Sequence, residues 1–137
     1  MSFQQLVYVS RSVARIGSLL EVSDILEEAM RNNPLNNITG ALAFTETRFV
    51  QILEGSQSSL DVLLLKLMLD VRHTDMKVLV REQVTERAFS DWAMISPRMT
   101  PRGQSELNRL LADEDTTLTV YRGLMLDLCR EQMDALS

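Results

Sequence analysis

The chain has 137 residues, of which 45% are hydrophobic and 24% are charged, a composition typical of a soluble globular protein with one core. Its formal charge of −5 is spread without a lysine or arginine block, which argues against a nucleic-acid-binding or polybasic membrane surface. No apolar stretch is long enough to span a membrane, no signal-peptide pattern opens the chain, and the single Cys129 cannot form an internal disulfide, so we expect a cytoplasmic protein.

A strand and then a helix are predicted from the first apolar patterns. Residues 6–10 form a short apolar run that indicates the first strand. Four apolar side chains then share one helix face at the spacing i, i+3, i+4 and i+7, namely Val22, Ile25, Leu26 and Ala29. The helix is expected to end at residues 32–34, because a proline disfavours helical geometry in the residue before it.

Two strands of a hairpin are predicted at residues 38–44 and 49–53. Gly40, inside the first of them, indicates a close backbone approach. Side chains alternate along a strand, so Gln51 faces the same way as its apolar neighbours two residues away on either side. A buried amide costs roughly 1–3 kcal/mol unless its donors and acceptor are matched, so Gln51 needs a partner.

A second helix is predicted to begin at Ser58 or Ser59 and to be closed by residues 72–74. Residues 78–80 and 92–95 indicate a fourth strand and a short fifth one. Strand–helix–strand units favour right-handed crossovers, so the predicted fold is α+β: a ferredoxin-like βαββαβ sandwich with an extra fifth strand. We expect the first and third strands to be central and parallel to each other.

The last third of the chain predicts two amphipathic helices after Pro101, separated by the acidic residues 113–115. We expect residues 1–100 to form one domain and residues 101–137 a C-terminal helical cap or output extension. A homo-oligomer contact is plausible from an apolar stripe, although most of its area is expected to pack on the sheet face that the two main helices leave bare. The stripe comprises Leu118, Leu124, Met125 and Leu128.

Several polar residues have both a structural and a functional interpretation. Tyr8 and Gln51 lie on strands predicted to be central, so they can meet between the two helices, either as a satisfied core pair or as the lining of a ligand slot. Asn32 and Asn33 either end the first helix through left-handed geometry or border that slot. Lys66 could neutralise a phosphate, but a lone lysine on a helix is usually solvated.

Other reactive residues lack the partners that chemistry would need. Arg72 and His73 can interact with the C-terminal dipole of the second helix. A single histidine without cysteine or carboxylate partners at ligand spacing gives no metal site. Ser10 and Cys129 lack the histidine and acid of a nucleophilic triad, so the sequence indicates no such enzyme.

Together these segments resemble the BLUF family, blue-light sensors that use FAD. The matching segments lie between residues 3 and 100, in an order and at a spacing that make the resemblance specific. They are residues 6–10, 31–34, 37–40, 49–55, 72–73 and 89–94.

The resemblance implies that FAD is held without a covalent bond between the two helices. Tyr8 would be the light-driven electron and proton donor, and Gln51 would rearrange by rotation or tautomerism and shift the absorption to the red. Trp92 and Met94 would complete the photoactive group; if their strand is regular they point to the same face. The cofactor-binding set that the resemblance implies is Tyr8, Ile25, Asn32, Asn33, Gln51, Lys66, Leu67, Arg72 and His73.

The resemblance further implies a sensor, not an enzyme, that signals to a partner protein through a conformational change. One alternative is a light-independent regulatory module that binds a small metabolite, with Tyr8, Asn33 and Gln51 as ordinary recognition groups. A second is an acylphosphatase-like enzyme, for which Arg11 or Arg15 would bind the anion, but the required glycine-rich anion nest is absent from the sequence.

Overall fold

A computed structural model of the chain describes residues 3–12, 28–69, 73–90, 92, 94–97 and 99–136. The described part contains four strands, and four α-helices of which the first is described only over residues 28–32 (α1) and continues into a short 3-10 helix. The remaining elements are, in chain order, β1 (Phe3–Ser12), the 3-10 helix (Asn33–Asn36), β2 (Thr39–Phe44), β3 (Arg48–Gly55), α2 (Gln57–Met68), β4 (His73–Val84), α3 (Pro101–Ala112) and α4 (Leu118–Leu136).

The four strands form one sheet in the order β2-β3-β1-β4, which confirms the predicted ferredoxin-like α+β fold. β1 and β3 are the central strands, as expected. The prediction that they are parallel is wrong, because β1 pairs with β3 and with β4 in antiparallel register. Each predicted crossover passes over one strand, so β1 is parallel to β2 and β3 is parallel to β4. β3 lies between β1 and β2 and is antiparallel to both, and this makes β1 and β3 antiparallel to each other.

The predicted fifth strand is reduced, in the described residues, to one isolated parallel bridge between Ala41 and Ile95. The amide of Leu42 donates to the carbonyl of Ile95 at 2.8 Å, and the amide of Gly40 donates to the carbonyl of Trp92 at 3.2 Å. This segment therefore follows the outer edge of β2 without forming a regular strand. A side chain at Gly40 would clash with the backbone carbonyl of Ile52 in β3, which confirms the predicted close approach.

Each face of the sheet is covered by a different pair of helices. On one face, side chains of α1 and α2 pack on a buried group that includes Leu6, Leu42 and Leu53. On the opposite face, α3 and α4 pack on Val7, Ile52 and other sheet residues. The C-terminal stripe therefore packs on the sheet, as expected for most of its area: three of its members, Leu118, Met125 and Leu128, are buried. The homo-oligomer stays a prediction.

The helix ends differ from the prediction in two places. The N-cap of α2 is Ser56, whose hydroxyl accepts a hydrogen bond from the amide of Ser59 at 3.2 Å, so neither Ser58 nor Ser59 is the cap. α2 ends at Met68, and His73 is the first residue of β4 and not part of a helix end. β4 is also much longer than the predicted 78–80, since pairing with β1 extends it in both directions.

Candidate functional site

A cleft between α1 and α2 opens above the sheet and encloses about 700 Å³, including the solvent at its mouth. α1 and the 3-10 helix supply one wall, α2 supplies the other, and β3 reaches its floor. The lining residues are Glu28, Ala29, Asn32, Asn33, Asn36, Ile38, Gln51, Ser59, Val62, Leu63, Lys66 and Leu67.

Tyr8 and Gln51 meet below this cleft. The antiparallel register places Tyr8 of β1 directly opposite Gln51 of β3, and directly opposed residues project to the same sheet face. The Tyr8 hydroxyl donates a hydrogen bond to Gln51 Oε1. The two residues are only 2% and 3% exposed, so the bond is shielded from water. The structure thus provides the partner that a buried amide at position 51 requires.

Met94 is the second partner of Gln51. Gln51 Nε2 donates to Met94 Sδ at 3.3 Å, and Met94 is 4% exposed. A thioether is a weak acceptor, so this bond holds the amide orientation less firmly than the bond to Tyr8. An amide carries two N–H donors, and the bonds found for Gln51 among the described residues use one. A ligand in the cleft can therefore accept the other.

Trp92 lies on the opposite side of the sheet from Met94. Its ring packs 6.2 Å from the ring of Phe89, centroid to centroid, in the core that α3 and α4 cover. Trp92 and Met94 therefore do not share a face, and the regular strand on which that expectation depended is absent from the described residues. The physical reason is that the segment makes a single bridge to β2 and does not keep the two-residue alternation of a regular strand.

The two asparagines border the cleft, and neither ends the helix through left-handed geometry. Asn32 has right-handed helical angles. Asn33 is buried and begins the 3-10 helix, and its backbone carbonyl accepts a hydrogen bond from the amide of Ile38 at 3.0 Å. The left-handed residue is Asn37, with φ of 55°. Both asparagines therefore line the cleft without supplying the left-handed residue that was expected to end the helix.

The other residues of the predicted set are distributed unevenly. Leu67 and the exposed Lys66 line the cleft from α2. His73 is described by its backbone only, which pairs with Ser12, and Ile25 and Arg72 lie outside the described residues.

Sequence reasoning missed seven lining residues, namely Glu28, Ala29, Asn36, Ile38, Ser59, Val62 and Leu63. One signal was present: Leu63 is one helical turn before Leu67 and so shares its face.

The model of a family described as sensors of blue light using FAD, the BLUF family, matches residues 3–95. The chain belongs to this family. Over 92 residues it is 37% identical to the photoactivated adenylate cyclase subunit beta of Euglena longa, a match that covers 66% of this chain and 11% of that protein. The chain thus spans about a tenth of the length of the curated relatives it matches.

Solved BLUF structures have the same fold. BlrB, a BLUF protein in its dark state, matches with a TM-score of 0.76 and 26% identity over 90% of this chain and 94% of its own. BlsA in its photo-activated state matches with a TM-score of 0.75 and 28% identity over 93% of this chain and 94% of its own. This BLUF chain therefore has the fold of solved BLUF proteins and belongs to a family of blue-light sensor modules.

The residues of the cleft fit a flavin. A flavin ring has two flat apolar faces and one edge of carbonyl and N–H groups. Leu63 and Leu67 offer apolar surface for a face, and the amides of Asn33 and Gln51 offer donors and acceptors for the polar edge. No helix in the described part of the chain combines the length and apolarity needed to cross a membrane.

Proposed function

We propose that the flavin is FAD and that it binds without a covalent bond between α1 and α2. Asn33 and Gln51 bind the pyrimidine edge, with Asn32 as the polar neighbour of Asn33. Leu67 forms an apolar wall and Lys66 meets the phosphates. The observation that supports the proposal most directly is the buried Gln51 amide, which is held by Tyr8 and Met94 and retains a donor for the cleft.

The proposed FAD site extends to three further residues that the family resemblance implies: Ile25, Arg72 and His73. Lys66 stands where relatives often have arginine, so it keeps the charge but loses the planar fork of a guanidinium. Denaturing the purified protein and separating the released cofactor by chromatography distinguishes FAD from FMN. Release of FMN alone would contradict the FAD assignment and leave the flavin site intact.

The proposed switch is the hydrogen-bond chain from Tyr8 through Gln51 to Met94. The bound flavin supplies blue-light absorption and an excited state that takes up an electron. Tyr8 is the electron donor, and its hydroxyl proton has a direct path onto Gln51 Oε1. Gln51 then rearranges while the electron and the proton return to Tyr8, so no net redox change remains. The changed hydrogen bonding at the polar edge of the ring would shift the absorption to the red.

Rotation and tautomerism of Gln51 have different consequences for Met94. A half-turn of the amide places the oxygen beside Met94 Sδ, and because neither atom carries a hydrogen, that bond is lost. Tautomerism leaves one hydrogen on Nε2, so the bond to Met94 can remain. Trp92, on the other face of the same segment, would respond through the backbone that it shares with Met94.

The light signal is proposed to pass to a partner protein, or across a homo-oligomer, through residues 101–137, with residues 1–100 as the photosensory part. The matched relatives of Euglena are cyclases many times longer than this chain, which supports a sensor that controls a separate activity. The cytoplasmic location stays a prediction from the sequence.

The absorption spectrum before and after blue illumination tests the photoreceptor proposal. Wild type is expected to show a red shift that reverses in the dark. Tyr8→Phe and Gln51→Leu are expected to retain flavin and lose the shift, because each removes a member of the chain. Tyr121→Phe is a matched control, since its hydroxyl contacts the Leu110 carbonyl on the opposite side of the sheet.

Three results would count against the proposal. A normal shift in Tyr8→Phe or Gln51→Leu would refute the role of that residue. Loss of the shift in Tyr121→Phe would show that the loss is unspecific. A wild-type protein that stays colourless when flavin is supplied would favour the light-independent metabolite-binding module.

A further inference from the structure

Glu54, near the end of β3, is a fully buried carboxylate that accepts four hydrogen bonds. Its Oε1 accepts from the Thr39 hydroxyl and the Phe89 amide, each at 2.8 Å. Its Oε2 accepts from Gln5 Nε2 and from the Ala88 amide, each at 2.6 Å. These donors occupy the lone-pair positions of a carboxylate and connect β1, β2 and the segment after β4 at one point.

A second link runs from this carboxylate to the C-terminal helix. Arg122 of α4 donates through Nη1 to Gln5 Oε1 at 2.8 Å. The Gln5 amide, which is 0% exposed, is therefore held between a guanidinium on one side and the Glu54 carboxylate on the other. Charge-assisted hydrogen bonds are stronger and shorter than neutral ones, so this bridge ties α4 to β3 across β1.

The same carboxylate is connected to the proposed switch in two ways. Glu54 is three residues beyond Gln51 on β3, and it projects to the opposite face of the sheet. It also fixes the amides at residues 88–89, and the Phe89 carbonyl accepts from the Trp92 amide at 3.0 Å. Two residues later, Met94 accepts the hydrogen bond from Gln51.

We propose that Glu54 is a positioning residue through which a rearrangement of Gln51 and Met94 reaches α4, by way of Gln5 and Arg122. The inference rests on the proposed light switch. A change at Met94 displaces the segment that Glu54 anchors. A buried carboxylate cannot give up donors without a large cost, so the displacement moves its other partners as well. Illumination thereby weakens the contact between Arg122 and Gln5 and loosens α4 from the sheet.

Cys129 offers a probe for this loosening within the native sequence. It is the single cysteine of the chain, it is 0% exposed, and it follows Arg122 by two helical turns on α4. A thiol reagent reaches it only when α4 separates from the sheet. The labelling rate therefore reports the docking of α4, whereas the flavin spectrum reports the switch.

The experiment measures both quantities on the full flavin-bound chain, in the dark and under blue light, with an aromatic disulfide as the thiol reagent. In wild type, light is expected to accelerate labelling by about threefold or more. Arg122→Met is expected to keep the red shift, to label faster in the dark, and to lose the difference between light and dark. Arg122→Lys, which can still donate to Gln5, should restore part of that difference. Arg130→Met is the matched control on the exposed side of α4 and should behave as wild type.

Two results would overturn the inference while leaving the photoreceptor intact. One is a wild-type red shift with equal labelling rates in light and dark. The other is an Arg122→Met variant whose ratio of light to dark rates equals that of wild type. A wild type without any red shift would instead refute the proposed function, and with it the basis of the inference.

Discussion

At the scale of single residues, buried polar groups determine which side chains can be exchanged. Glu54→Gln changes the least possible volume but places an NH₂ group against a backbone N–H donor, that of Phe89 or that of Ala88, whichever way the side-chain amide is oriented. Leaving buried donors unmatched costs about 1–3 kcal/mol each, so we expect the free energy of unfolding to fall by about 2–4 kcal/mol in urea titrations. Glu46→Gln, on an exposed turn, should change it by less than about 0.5 kcal/mol.

A Glu54→Gln variant as stable as Glu46→Gln would show that the four hydrogen bonds contribute little to the folded state. The light-induced red shift of Glu54→Gln is measured on the same samples. A retained red shift together with a lower unfolding free energy indicates that Glu54 stabilises the fold without affecting Gln51, which faces the other side of the sheet.

Residue patterns predicted part of the site and missed the rest for a physical reason. The alternation along β3 was enough to bring Gln51 to the face of Tyr8. The same alternation places Glu54 in phase with the buried Val50 and Ile52, which was a signal of a matched buried acid. Its donors come from residues 15 to 49 positions away in sequence, so no local pattern could identify them.

At the scale of elements, two glycines in different environments should respond oppositely to the same substitution. Gly40→Ala introduces a methyl group against the Ile52 carbonyl where β2 meets β3, and overpacking of this kind costs about 1–3 kcal/mol. Gly123 lies inside α4 with no atom near an added methyl group, so Gly123→Ala should stabilise the protein by about 0.5–1 kcal/mol through helix propensity. Urea unfolding of both variants measures the two signs.

If Gly40→Ala unfolds at the same urea concentration as wild type, the predicted clash does not destabilise the protein. If Gly123→Ala does so, the predicted gain in helix stability is absent. A stabilised Gly40→Ala would mean that the two strands separate at little cost, and the close approach would then be no constraint on the hairpin.

The sequence predicted the four strands of the sheet and the helices, whereas it did not predict the strand directions, the helix boundaries or the reduction of the fifth strand to one bridge. Apolar periodicity identifies each strand and helix because it reports one buried face. It carries no information on direction, so the antiparallel pairing of β1 and β3 depends on the crossovers between elements. The N-cap of α2 lies at Ser56 and not at Ser58 because three closely spaced serines offer equivalent hydroxyls and only the backbone turn selects one.

At the scale of the whole molecule, the docking of α4 makes the stability depend on alkaline pH. Burial raises the pKa of the Cys129 thiol from 9.0 to about 12. Between these values the unfolded chain has lost the thiol proton and the folded chain keeps it, so the free energy of unfolding decreases as the pH rises. The contribution is fully present below about pH 9 and is lost towards pH 12, with a slope of at most about 1.4 kcal/mol per pH unit.

Comparison with Cys129→Ala isolates this effect, since tyrosines and lysines titrate equally in both proteins. The difference in unfolding free energy between wild type and variant should shrink from pH 8.5 to roughly pH 10.5. A constant difference over that range would show that the thiol titrates alike in the folded and unfolded chains.

The division of the chain at residue 100 is proposed as a functional boundary, and the packing of α3 and α4 indicates that it is not a boundary of folding. Removing residues 101–137 uncovers Val7, Val50, Ile52 and Phe89, which are all buried on that face. Burial of one such side chain contributes about 1.5–3 kcal/mol, so four approach the whole stability of a small domain, about 5–15 kcal/mol. We expect a chain ending at residue 100 to lose cooperative unfolding and to self-associate, as measured by near-UV circular dichroism and analytical ultracentrifugation.

A monomeric fragment that unfolds as cooperatively as the full chain would make residues 1–100 an independent domain, and α4 would then be free to leave the sheet without cost to the photosensory part.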